Sequence, residues 1–349
     1  MSGQASERDL DGQRRRERRD ARRREIARRR RRALAALSLV LVAVAAIAVV
    51  ALASGGSGGG SSTTAAGGAS VHGHASASSG SAGSGGSSQT GSSTSDGAPH
   101  STVTGVATGR PGSERVPILM YHVINPPPAG APFPGLYVEP SEFAAQMRAL
   151  AKAGYHAVTQ DQMWAYWKRG VPLPKDKPIV VSFDNGYQSQ YTNALPVLRS
   201  LGWVGNENIQ LTGLPPSQGG LSQAQIKGLV AAGWELDTQG ISHADLITLN
   251  ATQLAEQVAS SRKTIQQRYG VPANWFCYPS GHYNATVIAA VKSAGYTGST
   301  TVVPGWAGPE SDPYRLPRLR VLGGTSPESL LSELQAIRSD PSPPASYSG

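Results

Sequence analysis

Ile179-Val180-Val181-Ser182-Phe183-Asp184-Asn185-Gly186-Tyr187 is the stretch on which the reading of the fold rests. A mostly apolar run that ends in a carboxylate, a carboxamide and a glycine describes a buried strand delivering polar groups to a turn at its C-terminal end. Further short strand candidates at 117–121, 234–237, 275–278 and 319–322 alternate with helix-like stretches. One helix is expected over 141–154, with Ser141 as N-cap before Phe143, Met147 and Leu150, and another over 252–269, where Leu254, Val258 and Ile265 form an apolar stripe. Strand followed by helix, repeated, predicts a largely parallel sheet or barrel with helices outside, and sites gathered where loops leave the C-terminal ends of the strands.

Outside residues 116–338, where this pattern runs, the chain changes character. Residues 1–32 hold 14 Arg against six acidic residues, so most of the net charge of +9 sits there and the remainder is nearly neutral. A basic groove for nucleic acid is therefore not expected in the globular part. Residues 33–53 are Ala, Leu, Val and Ile with one Ser and no charge, long enough at about 1.5 Å per residue to cross a bilayer core of about 30 Å. With Arg before this run and little charge after it, a single-pass plasma-membrane helix is expected, N-terminus cytoplasmic and bulk outside. Cleavage near Ala53 and secretion is the alternative. Residues 54–110 are dominated by Gly, Ser, Ala and Thr and read as a disordered stalk, spanning on the order of 40 Å as a coil, with His72 and His74 as incidental polar residues. Residues 339–349 read as a tail. The single cysteine, Cys277, forms no intramolecular disulfide and reads as a small buried hydrophobe.

The motifs carrying chemistry are spread through 116–338. Besides Ser182-Phe183-Asp184-Asn185-Gly186 they include Val116-Pro117-Ile118-Leu119-Met120-Tyr121-His122, Leu195-Pro196-Val197-Leu198 and Ser242-His243-Ala244-Asp245-Leu246. Phe276-Cys277-Tyr278-Pro279-Ser280-Gly281 and Leu316-Pro317-Arg318 follow. In order and spacing they resemble the polysaccharide deacetylases of the NodB-homology family (carbohydrate esterase family 4), in look closest to the branch acting on poly-N-acetylglucosamine. The resemblance implies a distorted (β/α)7 TIM-like barrel and removal of N-acetyl groups from amino sugars of a cell-surface polysaccharide or peptidoglycan. It also implies a divalent, zinc-like metal that polarises the acetamide and activates water beside a carboxylate base. On this chain Asp184 takes the base position and His243 one metal position. Tyr121, His122, Tyr278, Pro279 and Gly281 take substrate-groove positions.

Two departures bear on that chemistry. Asn185 stands where the family has a metal-binding Asp, and Gln239 where it has the first metal-binding His. Neither amide brings the negative charge or imidazole nitrogen that zinc-like ions favour, so a family-like zinc site is not expected. A rebuilt site is one alternative: Asp237, two residues before Gln239, shares its face if the segment is extended and offers a substitute carboxylate, with His243 and His282 or His122. A glycan-binding protein without turnover is the other. Trp164, Trp167 and Trp306 read as packing residues before sugar-stacking ones. The polar stretch Asn206-Glu207-Asn208-Ile209-Gln210, where the family has an apolar strand, predicts a locally altered barrel.

Overall fold

The computed structural model describes residues 106–349, apart from 108, 175–176, 213 and 215–218. The expected membrane span, the Arg-rich segment and nearly all of the stalk lie outside the described residues. Among the described residues, no helix is long and apolar enough to cross a membrane.

The strands are β1 (Val116–Tyr121), β2 (Tyr155–Ala157), β3 (Lys177–Asn185), β4 (Asn206–Ile209), β5 (Glu235–Thr238), β6 (Trp275–Cys277), β7 (Gly298–Thr300), β8 (Trp306–Ala307) and β9 (Leu319–Arg320). They form one curled sheet in the order β7-β6-β5-β4-β3-β1-β8, with β2 on β3 and β9 on β1. Every pairing is parallel except β1 with β8. Leu316, just before β9, exchanges backbone hydrogen bonds with Ser299 of β7 and Thr301 just after it, which draws the ends of the sheet toward each other. The expected barrel thus takes the form of an α/β domain with a curled parallel sheet, a half-barrel consistent with the distorted family barrel.

Helices α1 (Pro140–Lys152), α2 (Gln160–Arg169), α3 (Leu195–Ser200), α4 (Gln223–Ala231), α5 (Ala251–Ala255), α6 (Ser261–Tyr269), α7 (Ala285–Ser293) and α8 (Pro327–Ala336) accompany the strands. In α1 the expected cap is displaced: Glu139 is the N-cap, Pro140 occupies the first turn, and Phe143, Met147 and Leu150 are buried as anticipated. The helix expected over 252–269 is α5 and α6 joined by a π-type turn at Glu256–Ser260, begun by the Asn250 cap and ended by Gly270 at φ 70°. Helix α2 starts with a capping box, the Thr159 hydroxyl accepting from Gln162 N while the Gln162 side chain accepts from Thr159 N. Replacing Thr159 by Ala is expected to cost about 1 kcal/mol, a drop in melting temperature of about 2–4 °C by calorimetry.

Strand alternation divides the domain into two environments. On β3, Ile179, Val181 and Phe183 face the helices, where Phe183 stacks on Trp234 at 5.0 Å and lies 5.8 Å from Tyr121. The opposite face of β3–β5 is polar. Ser182, Asn206 and Glu235 align across the three strands in one row, and Asp184, Asn208 and Asp237 in the next. The anticipated local alteration at 206–210 is absent: β4 sits in register between β3 and β5, and its buried Asn206 and Asn208 belong to this polar interior. Asn206 Oδ1 accepts from Gln160 N, and Asn208 Nδ2 donates to Asp184. The tail is part of the fold, since Tyr347 and Tyr283 exchange backbone hydrogen bonds and the Tyr283 hydroxyl donates to Pro344 O.

Candidate functional site

At the C-terminal ends of the strands lies a cavity of about 600 Å³, the scale of a small-ligand or sugar site. Asp184, Asn185, Gln239, His243, His122, Tyr278 and Gly281 all line it, so most of the residues singled out in the sequence meet here. Gln210, Tyr187, Phe133 and Arg320 join them. Among the described residues four non-glycine positions have positive φ, and three of these, Asn185 (80°), His243 (56°) and Ser280 (54°), are on the cavity wall. Such backbone is costly and collects at functional sites. Gly281, at φ 78°, approaches Val302 so closely that a Cβ would collide with it, which accounts for a glycine on this wall.

Asp184 is buried and fully engaged. Arg318 grips it with two parallel bonds, Nη1 to Oδ1 at 2.7 Å and Nη2 to Oδ2 at 2.9 Å, and Asn208 Nδ2 donates to Oδ1 at 2.9 Å. Burial by itself raises this carboxyl, but the guanidinium beside it overcomes that effect and holds it well below the usual carboxylate range. Cys277, buried as expected, is more than core filler: its sulfur lies 3.4 Å from Asp184 Oδ2 and 3.2 Å from Arg318 Nη2. Burial pushes its thiol up to about 12, so it remains protonated.

The positions that the resemblance assigns to a metal hold neutral side chains. Asn185 Nδ2 donates to Gln210 Oε1 at 2.7 Å, and Gln210 Nε2 donates in turn to Thr212 O. Gln239 is buried. Burial lowers the pKa of His243, and that of His122 falls to about 4, so both imidazoles are neutral at pH 7. Among the described residues, no group of three His, Cys, Asp or Glu is arranged to hold a metal. Its one wall carboxylate is bound by Arg318 and two conventional ligands are amides, so the residues do not fit a zinc-like ion.

Several expectations are corrected here. Asp237 does not reach the cavity: its Oδ1 accepts from Trp275 N at 2.8 Å, deeper in the sheet. His282 is likewise diverted, with Nδ1 3.1 Å from Asp245 Oδ1. Tyr121 points into the aromatic core, its hydroxyl donating to Gln146 Oε1 at 2.8 Å. Pro279 is buried behind the wall formed by Tyr278, Ser280 and Gly281. The indoles of Trp167 and Trp306 pack as expected, their N–H groups donating to Glu114 O and Leu334 O, and Trp164 packs on Trp275. The sequence does not show Arg318, Asn208 and Gln210 as partners of these groups, although the Leu316-Pro317-Arg318 motif and the polar stretch 206–210 contain all three.

A curled parallel sheet with a groove at the strand ends, walled by aromatic, amide and imidazole groups, makes this an α/β domain with one ligand-sized site at the strand ends. Residues 173–299 match the family model described as Polysaccharide deacetylase, the family that the sequence motifs resemble. It is 28% identical over 225 residues to YxkH of Bacillus subtilis, which carries a polysaccharide deacetylase designation; the match covers 64% of this chain and 77% of YxkH. The Streptococcus pyogenes deacetylase PplD, solved in complex with acetate, superposes with a TM-score of 0.59 at 25% identity, over 64% of this chain and 99% of that one. Similarity to the poly-beta-1,6-N-acetyl-D-glucosamine N-deacetylase of Escherichia coli K12 is confined to 66 residues, 38% identical, covering 19% of this chain and 10% of the enzyme.

Proposed function

We propose that this chain is a glycan-binding member of the deacetylase family, holding an N-acetylated amino-sugar polymer of the cell surface or peptidoglycan without metal-assisted hydrolysis. The observation that carries this reading is the replacement of the metal-binding set by an Asn185–Gln210 amide pair and Gln239, beside an Asp184 already committed to Arg318. The groove itself is retained on a distorted (β/α)7 framework. Phe133, 69% exposed at its rim, offers a face on which a sugar ring can stack. Residues 33–53 as a single span and 54–110 as a stalk would hold the domain outside the plasma membrane, within reach of such a polymer.

Hydrolysis is the second reading. The family-model match and the presence of Asp184 and His243 on one wall favour it, with Asp184 as base. Acetate release from N-acetylglucosamine oligomers separates the two. Binding without acetate, unchanged by millimolar zinc, cobalt or nickel and with no saturable heat on metal titration, is the expected result. Acetate production that disappears in Asp184→Asn would establish the hydrolase instead.

A further inference from the structure

We propose that Arg320 makes the groove selective for an acidic polymer, its guanidinium pairing with a singly charged oxyanion, carboxylate or phosphodiester, carried on the bound glycan. This rests on the glycan-binding reading and names the class of polymer. Around β9 the chain is extended, so side chains two residues apart share a face. Leu319 turns into the helix-side core. Arg318 and Arg320 turn the other way, Arg318 onto Asp184 and Arg320 onto the cavity wall beside Met120, its partner in register on β1. The two cations are in different situations. Arg318 has its carboxylate. Arg320, about 6–7 Å further along, has none: no hydrogen bond or ion pair joins its guanidinium to another of the described residues. Among the described residues lining the cavity Asp184 is the only acid, and Arg318 holds both of its oxygens.

The charges on the wall select the ligand. The Asp184–Arg318 pair cancels, and burial keeps His122 and His243 neutral. Arg320 is then the one uncompensated charge among the described residues of the cavity. Its field reaches the floor, since it helps to lower the pKa of His122. The wall around it includes the apolar side chains of Met120, Val123, Phe133 and Leu136, and low-dielectric walls concentrate a field of one sign and draw counter-ions in. Arg320 is exposed, so its charge is hydrated in the free protein and an incoming oxyanion displaces no bonded partner. A guanidinium offers two parallel N–H donors that match carboxylate and phosphate oxygens, the geometry that Arg318 already adopts on Asp184. A neutral polymer leaves Arg320 facing water, and a polymer of free amines meets like charge. An acidic substituent supplies the counter-charge that the wall lacks.

The test is calorimetric titration of the full-length chain in detergent micelles with two acidic tetrasaccharides, each paired with its own neutral methyl ester. One alternates N-acetylglucosamine with N-acetylmuramic acid and so carries lactyl carboxylates; the other is an N-acetylglucosamine tetramer bearing a methyl phosphodiester. At least one acid should bind about fivefold or more tightly than its ester, the scale of one accessible charge-assisted pair in a cleft. That advantage should shrink as salt rises from about 0.02 to about 0.5 M. The acid with the larger advantage identifies carboxylate or phosphodiester as the group recognised. Arg320→Gln should bring each acid down to the affinity of its ester, with an unchanged melting temperature as the check on folding. Equal binding of acid and ester in both pairs, or an advantage that survives in a folded Arg320→Gln, overturns this inference and leaves the glycan-binding reading in place. Binding of none of the four oligomers overturns both. The unaltered chain decides the matter even where the variant does not fold.

Discussion

Replacing Arg318 by Ala is expected to destabilise the domain by about 3–5 kcal/mol, the usual cost of stripping one partner from a buried ion pair. The reason lies less in the energy of the pair than in what it leaves behind. Asp184 is 1% exposed and Arg318 fully buried, and both carboxylate oxygens depend on the guanidinium. Without it, Asn208 and the weakly polar Cys277 thiol remain as donors, too little to hold a charge out of water. The carboxyl then takes up a proton, and its pKa moves from far below the usual range to above it. The guanidinium also donates from Nε to Thr301 O and from Nη1 to Ser182 Oγ, so the truncation loosens the segment that joins β9 to β7 and β3. Chemical denaturation of Arg318→Ala, Asp184→Leu and the double variant measures the coupling. A double variant less damaged than Arg318→Ala alone is the expected outcome; additive losses would show that the two residues act separately.

The ion pair also shows where sequence reading stops. Asp184 was legible because one strand carries both the apolar run that buries it and the turn that follows. Arg318 lies 134 positions away, and neither residue's local pattern names the other. Strand geometry alone places other side chains. Tyr121 and His122 are consecutive on an extended chain and cannot both face one groove; strand alternation sends Tyr121 to Phe143 and His122 to the cavity. Asp237 and Gln239 do share a face, but two residues of strand separate them by about 6–7 Å, which puts Asp237 at the level of Trp275 N rather than at the groove. The polar stretch at 206–210 looked incompatible with a central strand because the interior of a parallel sheet is usually apolar. Here that interior is a network of amides and carboxyls, a property of β3, β4 and β5 together and of none alone.

That network has a pH signature. Asp237→Asn is expected to stabilise the domain by about 1–3 kcal/mol at pH 7–8, the range for relieving a poorly satisfied buried polar group, and to change little near pH 4. Burial is the main cause of a carboxyl held up from 3.8 to about 7, and the nearby charge of Asp161 on α2 adds to it, while the proximity of Glu235 and the bond from Trp275 N work the other way. Glu235 is raised as well, by burial first and then by Asp161 and Asp237. Below the unfolded value near 3.8, Asp237 is protonated in both states and imposes no penalty. As pH rises, the unfolded chain ionises while the folded one keeps its proton, so stability falls until pH reaches about 7, where the folded carboxyl ionises too and the decline from this group levels off. Asp184, held low, acts in the opposite sense, and its contribution is lost as pH drops below the unfolded value. An Asn at 237 cannot titrate. Its oxygen can go on accepting from Trp275 N while its amide donates to Glu235 Oε1, which now lacks a donor. Melting curves from pH 4 to 8 should therefore diverge with rising pH, the variant gaining about 2–4 °C for each kcal/mol. Parallel curves for the two proteins would mean that Asp237 is already ionised in the fold and that the proton held between these strands does not exist.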